Sequence, residues 1–454
     1  MLDTVHHKGL RLCLGAFRTS PVDSLYIEAG EPSLENRRRS LQLQYFVRSR
    51  QILANQRLVH LTDESHDRYY QSVHNKPKSL GYKVRNEVVN LGLEIPPIST
   101  ITESQLGPWE QPDIKVCMEL GSFVKAVTNR EEFVQNFRAH RHDVDIEVYT
   151  DGSKTSNGVG AGFGIMRHLP GGVFVGKILH PMSSVYTAEL YAIKLALLVL
   201  KVYPEKSCVM YSDSRSALQA IQKFGTSNKL VQEIREQYVY LLQSNIKVLF
   251  CWIPSHIGID GNESADKAAK SAAQNEIDNS QDVMDLTTLL KNRIKDKWEA
   301  AAQGGLVHRT EVSTSDIKAH IKSKLKEEWQ VAWHNTMVSQ KLRKIQPTLK
   351  KPQISLGRKD SIKLTRLRIG HTHLTHAYLL HGEDRPICLE CTYDEEDPVY
   401  LTIEHILMEC GNYAMDRLPF FDLANTSIQK LFSDQQHAEK VLNFFKSCEL
   451  YKNI

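Results

Sequence analysis

Cysteine is sparse in this chain, eight residues in 454, which is too few for the dense disulfide framework of a small secreted domain. Two of the eight stand in a CxxC and the rest are mostly scattered, a usage that suits a reducing compartment. No N-terminal stretch joins a basic start to an apolar core and a cleavage site, so the sequence predicts a protein that is not secreted and works in the nucleus or cytoplasm. Long hydrophobic runs are missing too. The most apolar segment, Leu190 to Leu200, contains Lys194 and is too short to span a bilayer, so no membrane partner is expected. The net charge of +4 leaves any case for nucleic-acid binding to local clusters. No two aspartates are adjacent anywhere in the chain. What is present, 41% hydrophobic and 24% charged residues, gives room for two or three domains with buried cores. Nothing in it fixes an oligomeric state.

The stretch Asp145-Ile146-Glu147-Val148-Tyr149-Thr150-Asp151-Gly152-Ser153 alternates residue by residue, as a strand does, and then meets Asp-Gly-Ser. One carboxylate is thereby expected at a strand end beside a tight turn, although Asp-Gly alone marks only a turn. Gly158 to Met166 reads as a glycine-laced strand, and Gly171-Gly172 turns it into Val173 to Leu179. Three antiparallel strands in succession follow, the middle one made pliable by small residues. The Gly-x-Gly-x-Gly spacing does not fit a dinucleotide cradle, because no helix opens directly behind it. Leu190, Ile193, Leu197 and Leu200 recur at helical spacing and predict a core helix over about 184–200. Glu189 lies near its start, where an acid is favoured by the helix dipole alone. A strand over 207–212 ends at Asp213, which either caps the helix opening at Ser214 or belongs to a site. An amphipathic helix over about 228–244, a strand over 246–252 and an alanine-rich helix over 262–273 complete the series, the last presenting Asp266.

Taken together, Asp151-Gly152-Ser153, Thr187-Ala188-Glu189-Leu190, Tyr211-Ser212-Asp213-Ser214, Trp252-Ile253-Pro254-Ser255-His256 and Gly261-Asn262-Glu263-Ser264-Ala265-Asp266 resemble a type 1 ribonuclease H domain, of the kind attached to retroelement polymerases, over about 144–274. Asp151, Glu189, Asp213 and Asp266 match that family's catalytic set in identity and order. The resemblance implies an α/β fold with a five-stranded mixed sheet and helices on both faces, flanked by mainly helical N- and C-terminal regions. It further implies hydrolysis of the RNA strand of an RNA–DNA hybrid with two Mg²⁺ or Mn²⁺ ions. Hard oxygen ligands with no Cys or His among them favour those ions, and clustered carboxylates would raise one another's pKa unless cations neutralised them. By the same resemblance Asp151 and Asp213 bridge the ions, Glu189 completes one and Asp266 the other. His256, reached across a loop holding Gly258 and Gly261, is implied to assist proton transfer, its alternative being a loop histidine bonded to backbone. Arg215 is the candidate for touching the hybrid's backbone. The connection 224–227 is short where some ribonucleases H carry a basic protrusion, so grip on the substrate would come partly from flanking regions.

The flanks resemble parts of jockey-like non-LTR retrotransposon polyproteins. LGAFRTSP and EAGEPSLENRRR look like the region after a polymerase palm, and the missing Asp-Asp pair means that no reverse-transcriptase palm is expected. Residues 1–80 are read as a helical remnant, with no clean start over Leu10 to Pro21 and a helix after Pro32 that sets Leu34, Leu41, Tyr45 and Val47 against five arginines. Its basic face is either solvated or a nucleic-acid contact. Residues 81–143 read as a linker with one short helix near Arg130 to His140, His140 and His142 being solvated. Residues 282–360 read as charged helices in which Trp298 and Trp329 pack into core.

In 361–454, Cys388-x2-Cys391 and His405-x4-Cys410 have the makings of one tetrahedral structural zinc site, or are loose thiols. The run RLRxGHTHLTHxYLL, similar to the end of jockey-like polyproteins, leaves His371, His373 and His376 surplus to that site and of unknown role, meeting phosphate together with Arg366 and Arg368 being one reading. The expected function is thus a hybrid-cutting endonuclease. Its rival is an idle nucleic-acid-binding remnant.

Overall fold

The computed structural model describes residues 2–52, 67–72, 77–98, 112–120, 130–166, 172–203, 206–226, 228–274, 312–394, 396–422 and 425–454. The stretch around Trp298 lies outside them. The chain divides into two compact units, one formed by 42–321 and the other by 1–41 with 322–454. Among the described residues no helix is long and apolar enough to cross a membrane.

The larger unit is built on a mixed sheet of strands β1 (Val116–Cys117), β2 (Ile146–Lys154), β3 (Val159–Met166), β4 (Val173–Leu179), β5 (Ser207–Ser212) and β6 (Lys247–Trp252). Their order is β1-β6-β5-β2-β3-β4. β2, β3 and β4 pair antiparallel, while β2, β5, β6 and β1 run parallel. The sheet therefore has six strands among the described residues rather than the expected five. The sixth, β1, comes from the stretch read as linker, where Val116 pairs with Phe250 and Cys117 with Cys251. Two residues are too few to show an alternation, so only the open edge of β6 defines that strand. The same stretch also holds a helix, Leu80–Asn90, whose first turn is capped by the Ser79 hydroxyl accepting from the Tyr82 amide.

Five helices matter for the site: α1 (Arg130–His140), α2 (Val185–Leu200), α3 (Arg215–Gln222), α4 (Lys229–Gln243) and α5 (Asp260–Ala273). On one face Ile146, Val148, Ala161, Phe163, Met210 and Phe250 pack with the apolar rows of α2, α3 and α4. On the other, Tyr149, Val209, Tyr211 and Cys251 pack with Phe137 of α1 and Ala265 of α5. Both faces are covered, so β2 and β5 are buried along most of their length instead of alternating with solvent.

The glycines of β3 and β4 serve close packing rather than pliability. A Cβ on Gly160 would stand 2.1 Å from the Ala269 carbonyl, one on Gly162 2.2 Å from that of Ala265, and one on Gly176 2.2 Å from that of Ala268. The alanine-rich α5 thus lies almost backbone to backbone on the sheet, which fixes how deep Asp266 sits. Gly162→Ala should destabilise the protein by about 2 kcal/mol or more in urea denaturation, since neither backbone can give way. Gly357→Ala, where a Cβ meets nothing within 4 Å, should stay within about 0.5 kcal/mol. Equal effects would contradict this packing.

The smaller unit is helical. The segment before Pro21, read as lacking a helix start, forms the helix Leu2–Leu14, and Pro21 precedes a second, Val22–Ala29. The division between the units falls within the helix Leu34–Gln51, in which Leu43, Phe46 and Val47 are buried, whereas Leu41 and Tyr45, expected on the apolar side, are exposed. Trp329 packs beside Leu25, Ile27 and Trp333. The arginines expected at phosphate are structural. Arg368, 2% exposed, donates to the Glu28 carboxylate at 2.7 Å, and Arg366 donates to the carbonyls of Gly15 and Ile454. The surplus histidines do likewise: His371 stacks on His376 with centroids 3.6 Å apart and bonds to Thr19 at 2.9 Å, while His373 sets its ring edge-on to Phe17. The RLRxGHTHLTH run is thereby explained as packing.

Candidate active site and metal centre

β2 does not stop at Asp151-Gly152 as a turn would require. It continues to Lys154, paired with β3 as far as Lys154 opposite Val159. Its parallel neighbour β5 leaves it one residue before Asp151, the last pair being Thr150 with Ser212. Asp151 and Asp213 therefore sit side by side where the parallel ladder ends, the usual place for a site in such sheets. Gly152 has a separate task. A Cβ there would lie 2.5 Å from the Glu189 amide nitrogen, so only glycine lets the start of α2 approach and turn Glu189 toward Asp151. Ser184 caps α2 by accepting from the Thr187 amide at 3.2 Å.

Asp213 does not cap α3, which has no side-chain cap among the described residues. Its backbone carbonyl accepts from the Trp252 indole at 3.0 Å, and the Asn262 side chain hydrogen-bonds its carboxylate. Asp266 reaches the cluster from α5, hydrogen-bonds Asp151, and accepts from Lys270 Nζ at 2.6 Å. All four carboxylates line one cleft of about 360 Å³, with His256, Lys154 and Lys270 around them. His256 is exposed and has a left-handed backbone, φ 57°, in the loop where Gly258 has φ 92°. Arg215 is not part of the cleft wall. It is the exposed first residue of α3, its guanidinium 5.7 Å from the Trp252 ring.

Two residues of the site were named in the sequence motif without a role or not named at all, Asn262 and Lys270. Their signal was available, because 262, 266 and 270 recur at four-residue spacing and share one face of a helix. Gly152 was mistaken for a turn residue.

The electrostatics are those of acids forced together out of water. Burial, then the charges of Asp213 and Asp266, push Asp151 up to about 8. Burial and the charges of Asp151 and Asp213 hold Glu189 well above the carboxylate range. Asp213 is raised by burial, against hydrogen bonding from Asn262 and the His256 charge. Oxygens of Asp151, Glu189 and Asp213 all lie within 4.8 Å of one another, and Glu189 Oε2 is buried with no hydrogen-bond partner among the described residues. A divalent cation preferring oxygen fits this donor set.

A second cluster lies in the smaller unit. Cys388 and Cys391 share a turn in which the Cys391 and Thr392 amides donate to the Cys388 carbonyl, closed by a bridge between Ile387 and Tyr400. His405 opens a short π-helical turn, His405–Glu409, that brings Cys410 back. Cys410 Sγ is 3.6 Å from that of Cys388 and 4.0 Å from that of Cys391. Tetrahedral zinc with bonds of ~2.3 Å needs sulfurs ~3.8 Å apart. His405 Nδ1 faces Glu409 at 3.4 Å, its Nε2 is buried with no hydrogen-bond partner among the described residues, and one of its ring nitrogens lies within 4.8 Å of all three sulfurs. These four residues fit a structural zinc ion.

The fold and cleft define a mixed α/β domain with a carboxylate site suited to a divalent cation. Comparison with protein families is more specific: residues 143–274 match the RNase H family, which supports an RNase H domain there and nuclease activity on nucleic acid. A search of curated proteins gave no match to the chain.

The raised carboxylates make a signed prediction. Their folded values lie above the unfolded value of ~4, so each stabilises the protein below that pH and ceases to as pH climbs, for Asp151 through about 8. With chelator present, the melting temperature should fall from about pH 5 to about pH 9, less so in Asp151→Asn. Mg²⁺ should raise it more at the alkaline end. A slope unchanged in Asp151→Asn would sink this account.

Proposed function

We propose that this chain is an endonuclease that hydrolyses the RNA strand of RNA–DNA hybrids. The observation that carries the reading is the convergence of Asp151, Glu189, Asp213 and Asp266, far apart in sequence, on one acid-lined cleft. Asp151 and Asp213 would be shared between two Mg²⁺ or Mn²⁺ ions, Glu189 and Asp266 serving one each. Such ions supply the clamp on the attacking and leaving oxygens of a phosphodiester that protein groups alone cannot.

The chain's own residues do the rest. Asn262 and the Trp252 indole hold Asp213 in place from either end of the residue. The Gly152 amide hydrogen-bonds Asp151 and Glu189, and Lys270 holds Asp266. His256, exposed at the rim, is placed to give a proton to the departing 3′ oxygen, leaving a 5′-phosphate and a 3′-hydroxyl. Arg215, solvent-exposed next to Asp213, is assigned to the hybrid's backbone, and ribose 2′-hydroxyls distinguish the RNA strand. Cys388, Cys391, His405 and Cys410 hold one structural zinc ion. The LGAFRTSP and RLRxGHTHLTH segments support derivation from a jockey-like retroelement polyprotein without its polymerase palm, acting in the nucleus or cytoplasm. The same reading divides the chain into a helical remnant (1–80), a connecting stretch (81–143) that lends β1 to the sheet, the nuclease (144–274), a charged helical region (282–360) and the zinc-bearing end (361–454).

The test is cleavage of a strand-labelled hybrid in Mg²⁺. Wild type should cut only the RNA strand, Asp213→Asn should lose at least about 10³-fold in rate, and His256→Ala about 10²-fold in kcat with little change in KM. Hybrid binding without cleavage in wild type would leave a binding module instead.

A further inference from the structure

A third cluster of metal-ligating side chains lies in the larger unit, away from the cleft. Cys117 of β1 stands directly beside Cys251 of β6 in the parallel register, and His142, in the turn between α1 and β2, completes the group. The two sulfurs and a ring nitrogen all lie within 4.8 Å of one another. Cys251 is wholly buried, while Cys117 and His142 are only partly buried, so the group reaches the protein surface. The cluster sits on the sheet face of Tyr149 and Tyr211, opposite the face covered by α2, and the carboxylates take no part in it. His142, expected from the sequence to be solvated, is instead partly buried beside two sulfurs. Solvation fits His140, which is exposed and bonded to the Asn136 carbonyl.

We propose that Cys117, His142 and Cys251 form a soft-metal site for a zinc-class ion, with water as fourth ligand, that fastens β1 to the sheet. Two thiolates and one imidazole are the donors such an ion prefers over the carboxylate cleft. Tetrahedral edges of ~3.5–3.8 Å are reached from this arrangement by shifts of about an ångström. Two thiolates cancel a divalent charge, so the complex can be buried beside aromatic rings without an uncompensated ion. The three ligands come from three separate segments, and β1 contributes only two residues to the ladder. A bound ion would thus tie down a strand that two pairings hold weakly.

Cobalt(II) is the probe, since thiolate-bound cobalt gives a charge-transfer absorption that carboxylate-bound cobalt lacks. The reduced, metal-free full chain should take up two equivalents with that absorption. His142→Gln and Cys117→Ser should each take up one, as should Cys388→Ser, which removes the other thiolate site. One equivalent in wild type, unchanged by His142→Gln, would overturn the proposal and leave Cys117 and Cys251 a plain thiol pair. Should Cys117→Ser fold poorly, alkylation of the native chain decides. Zinc should protect Cys117 in wild type and not in His142→Gln, and equal labelling with and without zinc would count against the site.

Discussion

Four carboxylates gathered on one cleft, two of them buried, are the constraint on which the larger unit turns. Burial, and then the charges of the neighbouring acids, make Asp151 and Glu189 harder to ionise. The fold accepts that cost with three kinds of support. Backbone amide and side-chain donors, from Gly152 and Asn262, point at the carboxylates; a lysine one turn on, Lys270, accompanies Asp266; and glycines remove every Cβ that would keep the helices away. An arrangement that destabilises the empty protein in proportion to its charge is one that a cation stabilises. The same feature that weakens the fold as pH rises would supply affinity for a divalent cation.

The RNase H match spans 143–274, yet the unit that packs around its sheet reaches further on both sides. β1 extends the sheet past β6. After the match, Val312 donates to the Pro97 carbonyl, and Asp316, 5% exposed, accepts from the Thr187 hydroxyl at 2.8 Å. Thr187 lies in the first turn of α2, two residues before Glu189. Asp316 itself lies in the first turn of the helix Thr314–Asn335, where a buried carboxylate is favoured by the helix dipole. Segments outside the family match thus brace the helix that delivers a candidate metal ligand.

Much of this was legible in the sequence, and what was missed follows a pattern. Periodicity placed α2, α4 and α5 within a few residues and ordered the strands, because long elements carry many repeats of their own signal. The site acids stood out by type and order. What failed was local reading of residues whose reason is tertiary. Asp151-Gly152 looks like a turn and is a strand passing a helix end. Gly160 and Gly162 look pliable and are the floor on which α5 lies. Arg366, Arg368, His371 and His376 look like a phosphate-binding run and are a buried ion pair, carbonyl contacts and a stacked pair of rings. β1 has too few residues to show any pattern.

Donor chemistry, finally, separates the three clusters that could hold cations. The cleft offers oxygens alone, and both cysteine clusters offer sulfur and imidazole alone, with no carboxylate in either set. Magnesium binds sulfur poorly, and zinc prefers thiolate where it is offered. Cys388, Cys391, His405 and Cys410 offer the four donors a tetrahedral zinc ion takes, whereas Cys117, His142 and Cys251 offer three and on our proposal would leave the fourth position to water. Zinc entering the protein would fill the thiolate sites in preference to the carboxylates, keeping the cleft for the hard ion its oxygens select. On the functions proposed above, segregation by ligand softness would let one chain hold structural and catalytic cations without exchanging them, and it would require only that no cysteine or histidine be substituted for Asp151, Glu189, Asp213 or Asp266.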